Sequence, residues 1–247
     1  MERFSVSKLN LFLVCPRSYF YKYILNITSP GSTAMFFGSA IHEGIAAFYK
    51  GGNPVQAFKD ELKKINPVAG IVKDDKEYKA LLKQGVRLME LYQTDAPYFE
   101  PEAVEELREV YLTHPATDEK LPIPFVFKID LLTKDGYIVD HKTTSGAGKR
   151  QSETDRIQGI AYTMAYRTMY GERPKGFIQN ALVKRVKKPE IIPTIFQYTP
   201  DDEAWFFQVA EKVIGMVRRK EYLIALPMIR TFYPCPYKNI CEIHGGK

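Results

Sequence analysis

Residues 125–144, FVFKIDLLTKDGYIVDHKTT, constrain this chain more than any other segment. Two runs rich in β-branched and aromatic residues flank Lys134-Asp135-Gly136, where an Asp-Gly pair supplies the positive φ values of a tight hairpin. The pattern predicts two antiparallel strands. A turn at that place sets Asp130 and Asp140 nearly opposite each other on neighbouring strands. Side chains alternate along a strand, so Asp140 and Lys142 share a face while His141 points away.

Two carboxylates held this close repel, and the arrangement costs free energy unless a cation lies between them or one of them is protonated. Hard oxygen ligands of this kind suit Mg²⁺ or Mn²⁺. Such an ion polarises a phosphate and lowers the pKa of bound water, and an adjacent Lys orients that water or offsets charge on a pentavalent phosphorus. Phosphodiester cleavage needs these parts. On spacing alone the rival reading is a solvated hairpin face with an ordinary Asp/Lys pair. The apolar runs around the acids weigh against it, because they point to buried strands where unpaired charge is expensive.

Around the hairpin the pattern is helical, then stranded, then mixed. Ser5 or Ser7 can cap a helix running to about Tyr23, with Leu9, Phe12, Leu13, Phe20 and Tyr23 near helical spacing. A second helix covers FGSAIHEGIAAFYK, a third begins near Pro54, and KEYKALLKQGVRLMELYQ forms a longer one that ends before Pro97. Glu105 to Leu112 reads as a strand. After the hairpin, SGAGKRQS is a flexible connection to a helix over DRIQGIAYTMAYRTMYG, stopped by Gly171 and Pro174. Strands near Gly176 to Val186 and Pro193 to Tyr198 precede a last helix from Asp201 and Asp202 to about Glu221. This order implies an α/β chain with a central mixed sheet and helices packed over it.

With 247 residues the chain could form one domain or two, and one is favoured: residues 1–100 mainly helical, 101–200 a sheet core, 201–247 a helix and a cysteine tail. The formal charge of +6, from 35 Lys and Arg against 29 Asp and Glu, favours a polyanionic partner without demanding one. Lys8, Asn10 and Arg17 interrupt the first apolar stretch, which excludes an ordinary signal peptide, and no run approaches the roughly 20 apolar residues of a membrane span. Three cysteines cannot all pair with one another, which fits a reducing cytoplasm.

The spacing D-x9-D-x-K on a hairpin resembles the PD-(D/E)XK nuclease superfamily. The rest of the chain resembles its RecB-like branch, which includes CRISPR-associated and phage RecB-like exonucleases. SVSKLNLFLVCPRSYFYKYIL is similar to that branch's N-terminal helix with its Cys-Pro, and FGSAIHEGIAAFY to the helix bearing its metal-binding His. QGIAY is similar to its Gln-x3-Tyr motif and CPYKNIC to part of its C-terminal cysteine motif, in the family's order. The resemblance implies a restriction-endonuclease-like fold and a Mg²⁺- or Mn²⁺-dependent DNA nuclease. It further implies an exonuclease acting on single strands or ends, in the DNA repair, recombination, CRISPR or phage setting of a prokaryotic or phage-infected cell. By the same resemblance Asp130 and Asp140 bind metal, Lys142 is catalytic, and His42 and the His141 backbone carbonyl are further ligands. Gln158 and Tyr162, four apart on one helix face, would hold substrate. The alternatives are a structure-selective endonuclease and, from another class, a catalytically idle DNA-binding or recombination-partner module. Intact clustered charge argues against the idle module.

Iron–sulfur members of the branch use one N-terminal and three C-terminal cysteines. Cys15, Cys235 and Cys241 match three of these positions, and Phe232 occupies the other. A four-iron cluster normally takes four thiolates, so the pattern leaves open a replacement ligand such as His244 or water, a different metal, or loss of the cluster. In each case Cys15 should lie close to Cys235 and Cys241. LVKRVKK at 182–188 and KRQ at 149–151 can hold phosphates or merely protect an edge. Tyr19, Phe20, Tyr21 and Tyr23 can stack bases, although their helical spacing favours core packing.

Overall fold

The computed structural model describes residues 2–29, 31–65, 74–145, 151–185, 188–223 and 235–241. In chain order its elements are α1 (Val6–Val14), α2 (Pro16–Tyr19), a π-helical turn (Phe20–Ile24), α3 (Thr33–Tyr49), α4 (Pro54–Lys63), α5 (Asp75–Asp95), β1 (Pro101–Val110), β2 (Phe125–Thr133), β3 (Tyr137–Thr144), α6 (Glu153–Tyr170), β4 (Gly176–Val183), β5 (Glu190–Phe196) and α7 (Pro200–Arg218). The chain divides into two compact units. The first is Met1–Pro30, Glu109–Phe127 and Thr199–Lys247, and the second is Gly31–Arg108 and Lys128–Tyr198.

In the first unit the expected single N-terminal helix is broken. Ser5 caps α1, its hydroxyl accepting from the Lys8 amide at 3.4 Å, but α1 stops at Val14 and Cys15 is extended at φ −160°. The cause is Pro16, which disfavours helical backbone in the residue before it and itself suits a helix start. The chain resumes as α2 and then unwinds into a wider turn, with the Leu25 amide donating to the Phe20 carbonyl five residues back at 3.0 Å. Thr199 and Asp202 form a capping box at α7, with Pro200 in the first turn. Phe4, Phe125 and Phe206 form an aromatic core, the Phe4 ring lying 5.6 Å and 6.3 Å from its neighbours.

The second unit holds the sheet in the order β1-β2-β3-β4-β5. β2 and β3 are antiparallel, β3 and β4 parallel, β4 and β5 antiparallel. The mixed sheet under helices agrees with the expected α/β architecture. Pro193 lies within β5, where an edge strand tolerates the missing donor. β1 begins at Pro101, four residues earlier than its pattern suggested.

The hairpin turns where the Asp-Gly pair stands, with one correction. Only Gly136 takes a positive φ, 87°. Its amide donates to the Thr133 carbonyl at 2.9 Å, and Asp135 accepts instead from the Thr133 hydroxyl at 2.6 Å. The side chain of Asp135 thus does by hydrogen bonding what two positive φ values would have done by backbone shape. Residues 146–150 of the connection after β3, 186–187 of the basic run, and both Phe232 and His244 lie outside the described residues. No helix among the described residues is long and apolar enough to cross a membrane.

One apolar cluster joins α3, α4 and α5 to β4 through Phe37, Ile41, Phe58, Leu62, Leu88 and Leu182. Its helices approach at Gly85, where an added Cβ would meet the buried Phe58 ring at 1.8 Å. Alanine is the better helix former by about 1 kcal/mol, but a contact that short forces the ring to move. Gly85→Ala is therefore expected to destabilise the fold by about 1–3 kcal/mol, read as a lower urea midpoint at unchanged slope. An unchanged or raised midpoint would refute this account of the packing.

Candidate active site

β3 delivers Asp140 and Lys142 to one side of the sheet, as the alternation of a strand requires. There α6 meets them with Gln158. Lys142 Nζ donates to Asp140 Oδ1 at 3.1 Å and to Gln158 Oε1 at 2.9 Å, and Gln158 Nε2 donates to the same Asp140 oxygen at 2.8 Å. The three side chains close a triangle, and Asp155 stands 4.0 Å from the ammonium. Gln158 thus sets the geometry of the lysine and the acid together.

A second group forms around Asp130. The β2–β3 ladder pairs Leu131 with Val139 and Leu132 with Ile138. One step further, the Asp130 carboxylate takes the His141 amide at 2.8 Å. His42 of α3 reaches both carboxylates, its Nδ1 lying 3.4 Å from Asp130 Oδ2 and 3.4 Å from Glu105 Oε1. Lys128 pairs with the other Glu105 oxygen. Ligand atoms of His42, Glu105 and Asp130 lie within 4.8 Å of one another, the one grouping of its kind among the described residues. A cleft of about 530 Å³ opens onto them between α3 and the strands.

The electrostatics follow from enclosure and neighbours. Burial opposes a charged imidazole at His42, but Asp130 and Glu105 outweigh it and push its pKa up to about 10. Burial also works against the Asp130 carboxylate, yet His42 and the His141 amide hold it below the ordinary range. Asp140 moves the other way: burial raises its pKa, Asp130 adds repulsion, and Lys142 only partly compensates. Lys142 is kept cationic, because its neighbouring carboxylates overcome the desolvation that opposes its charge. The two acids are thus pushed apart in affinity for protons, as expected of like charges sharing a site.

His141 points to the opposite side, fully buried. Its Nδ1 lies 3.3 Å from the Asn180 amide nitrogen, and the Tyr92 ring packs edge-on at 5.8 Å. Burial pulls its pKa down to about 4, which keeps the ring neutral. Tyr162 is buried as well, and its hydroxyl donates to the Lys128 carbonyl at 3.0 Å. It therefore ties α6 to β2 two residues before Asp130, while Gln158 reaches the acid and the lysine directly.

The donor set fits a hard divalent cation. Asp140 Oδ2 is enclosed yet has no hydrogen-bond partner, an arrangement that burial makes costly without a positive ligand. Carboxylates and an imidazole are the donors that Mg²⁺ and Mn²⁺ accept.

The cysteines lie in the other unit, and none of the three is in a disulfide. Cys235 Sγ is 3.7 Å from the hydroxyl of Ser18, one turn beyond Cys15, and Cys241 packs with Tyr21 and Tyr237. The N-terminal helices and the C-terminal segment thus meet. Three thiols are one short of the usual four-iron set.

Sequence reasoning missed Glu105, Lys128 and Asn180. Only Glu105 carried any signal, an acid at the start of the expected strand with an acidic neighbour, and that is common on solvated edges. The structure marks it by backbone shape: Glu105 adopts φ 54° within β1, a left-handed conformation that costs about 1–2 kcal/mol for a residue with a Cβ. That local turn aims its carboxylate at His42.

Comparison with known proteins accords with this geometry. A family model described as PD-(D/E)XK nuclease superfamily matches residues 3–242. Among solved structures, a protein from Eubacterium rectale named as a candidate exonuclease aligns over 99% of this chain and 87% of its own, at 17% identity and a TM-score of 0.65. That likeness speaks for the fold. The structure titled SSO0001 aligns over 98% of this chain and 86% of its own at 12% identity, with a TM-score of 0.45 that carries no weight here. No curated protein matches the chain.

Glu105→Gly removes both the strained backbone and the carboxylate. Strain relief and the added freedom of glycine nearly cancel, so unfolding free energy should change by less than about 1 kcal/mol. Mn²⁺ affinity by calorimetry should fall about tenfold or more. Unaltered affinity would exclude Glu105 from the ion's surroundings.

Proposed function

Because the chain belongs to the PD-(D/E)XK nuclease superfamily, we propose that it is a Mg²⁺- or Mn²⁺-dependent deoxyribonuclease that digests single-stranded or end-containing DNA, with Asp130, Asp140 and Lys142 at its centre. The observation that carries this reading is the enclosed, unpartnered Asp140 Oδ2 beside an ammonium fixed on the same carboxylate. An uncompensated buried carboxylate oxygen is costly, and a divalent ion would relieve that cost.

Asp130, Asp140, Glu105 and His42 would hold the ion, with the His141 backbone carbonyl as a further ligand. When bound, the ion supplies Lewis acidity toward a phosphate oxygen and lowers the pKa of attacking water. The chain's own groups do the rest. Lys142, kept cationic and clamped by Asp140 and Gln158, offsets negative charge gathering on phosphorus and orients the water. Its raised proton affinity suits an electrostatic role and not that of a general base. Gln158 holds the lysine and the acid at one spacing, so the charge is in place before substrate arrives. Tyr162 acts through the Lys128 carbonyl, steadying the strand that carries Asp130.

The exonuclease reading draws on the family's RecB-like branch and on the neighbouring structure's name. Linear and circular single strands of the same sequence test it: an exonuclease degrades only the linear form, and cleavage of the circle would replace this reading with an endonuclease. DNA as the partner follows from the family and from the excess of basic residues. The hydrolytic chemistry does not require a cluster at the cysteines.

Asp130→Ala and Lys142→Ala are expected to lower cleavage of end-labelled DNA in Mn²⁺ by roughly a hundredfold or more, with circular dichroism unchanged. Wild-type turnover in either folded variant would sink the assignment. Mn²⁺ at about a hundred times its dissociation constant should stabilise the wild-type fold by about 2.7 kcal/mol, a rise of roughly 5–10 °C in melting temperature. Chelator should reverse the rise. Asp130→Ala should melt at the same temperature with and without the ion, and a full shift in that variant would place the binding elsewhere.

A further inference from the structure

The first unit carries a cleft of about 1060 Å³ that the cleavage chemistry does not use. One wall is the π-helical turn after α2, and the other is the end of α7 with the residues that follow it. Phe20 and Tyr222 bring their rings to 5.0 Å across it, tilted by 35°. Behind them the buried Tyr19 ring lies 6.3 Å from Tyr222 and nearly parallel, at 16°. Tyr19 and Tyr21 are core residues, as helical spacing suggested, but Phe20 and Tyr222 are only half-buried and border the cleft. The wider π turn puts the residues after Phe20 out of α-helical register with α2.

Arg17, Arg218 and Lys220 also line the cleft, and Arg17 stacks on the Phe20 ring at 5.7 Å. Among the described residues that line it the one acid, Glu221, pairs with Arg219 at 2.6 Å. Lys220 sits at φ 60°, ending α7 abruptly and turning the chain so that Tyr222 follows on the cleft wall. Leu223 stands 68% exposed beside these cations. Rings and apolar surface interleaved with net positive charge match a ligand that presents flat apolar faces and phosphates at once.

We propose that this cleft binds an unpaired DNA strand, stacking a base against Tyr222 and Phe20 and setting phosphates against Lys220, Arg218 and Arg17. A duplex keeps its base faces covered and could satisfy only the cations, whereas a single strand satisfies both sets. The inference rests on the nuclease reading for its choice of DNA, but it concerns a second contact surface, not the cleavage site.

The test is fluorescence anisotropy of a labelled oligothymidylate and of a duplex of equal length, in chelator so that nothing is cut. The single strand should bind about tenfold tighter than the duplex. Tyr222→Ala should weaken single-strand binding about tenfold, the scale of one lost base stack, while Tyr222→Trp should restore it. Lys220→Glu, an exposed change that leaves the rings untouched, should weaken binding and reduce the salt slope by roughly 0.7. Single-strand affinity that ignores both Tyr222→Ala and Lys220→Glu would overturn the proposal, as would equal affinity for the duplex. Metal-dependent cleavage is scored separately. Cleavage with binding indifferent to these residues would refute the cleft alone, and Tyr222-dependent binding without any cleavage would refute the nuclease reading alone.

Discussion

Two acidic side chains from one hairpin share a small enclosed space, and much of the second unit is arranged around that repulsion. Water would screen the charges at a surface, but burial removes the screening and each carboxylate must find a positive or donating neighbour. Asp130 is met by His42 and by a backbone amide, and Asp140 by Lys142 and Gln158. One oxygen of Asp140 is met by nothing. That imbalance suits a cation: the protein's own donors meet most of the charge and leave one carboxylate oxygen without a hydrogen-bond partner.

The groups around the two acids come from several elements of the second unit, β3 itself supplying the His141 amide and Lys142. α6 contributes Gln158 and, through Tyr162, grips β2; α3 contributes His42; β1 contributes Glu105 through a strained residue. On the far side of the sheet, His141 is neutral and locked between Asn180 and Tyr92. Locking that ring steadies the strand bearing both Asp140 and Lys142. Stiffness here serves preorganisation, since a catalytic charge is effective only if it need not move when charge develops.

Legibility from sequence varied with range. The hairpin, the shared face of Asp140 and Lys142 and the opposite direction of His141 could be read directly, because strand alternation and Asp-Gly turn chemistry are local. The inserted π turn could not, nor could the role of Asp135, because both depend on hydrogen bonds between particular atoms and not on pattern. Glu105 was invisible for a related reason. Its backbone conformation is unfavourable by local propensity, and its partners His42 and Lys128 come from other elements.

What the amino-acid order determined by itself is the cluster of Asp140 and Lys142 on one face and the strand pair that carries it opposite Asp130, since period-two alternation needs no distant partner. It also determined where the N-terminal helix must break, because proline acts on its own neighbour. Only the tertiary structure decided which oxygen would be left without a partner, which acid from β1 would join the site, and that Phe20 would line a cleft while Tyr19 and Tyr21 entered the core. Those outcomes turn on burial and on contacts between residues far apart in the chain, and the free energy of a buried charge or ring depends on everything packed around it.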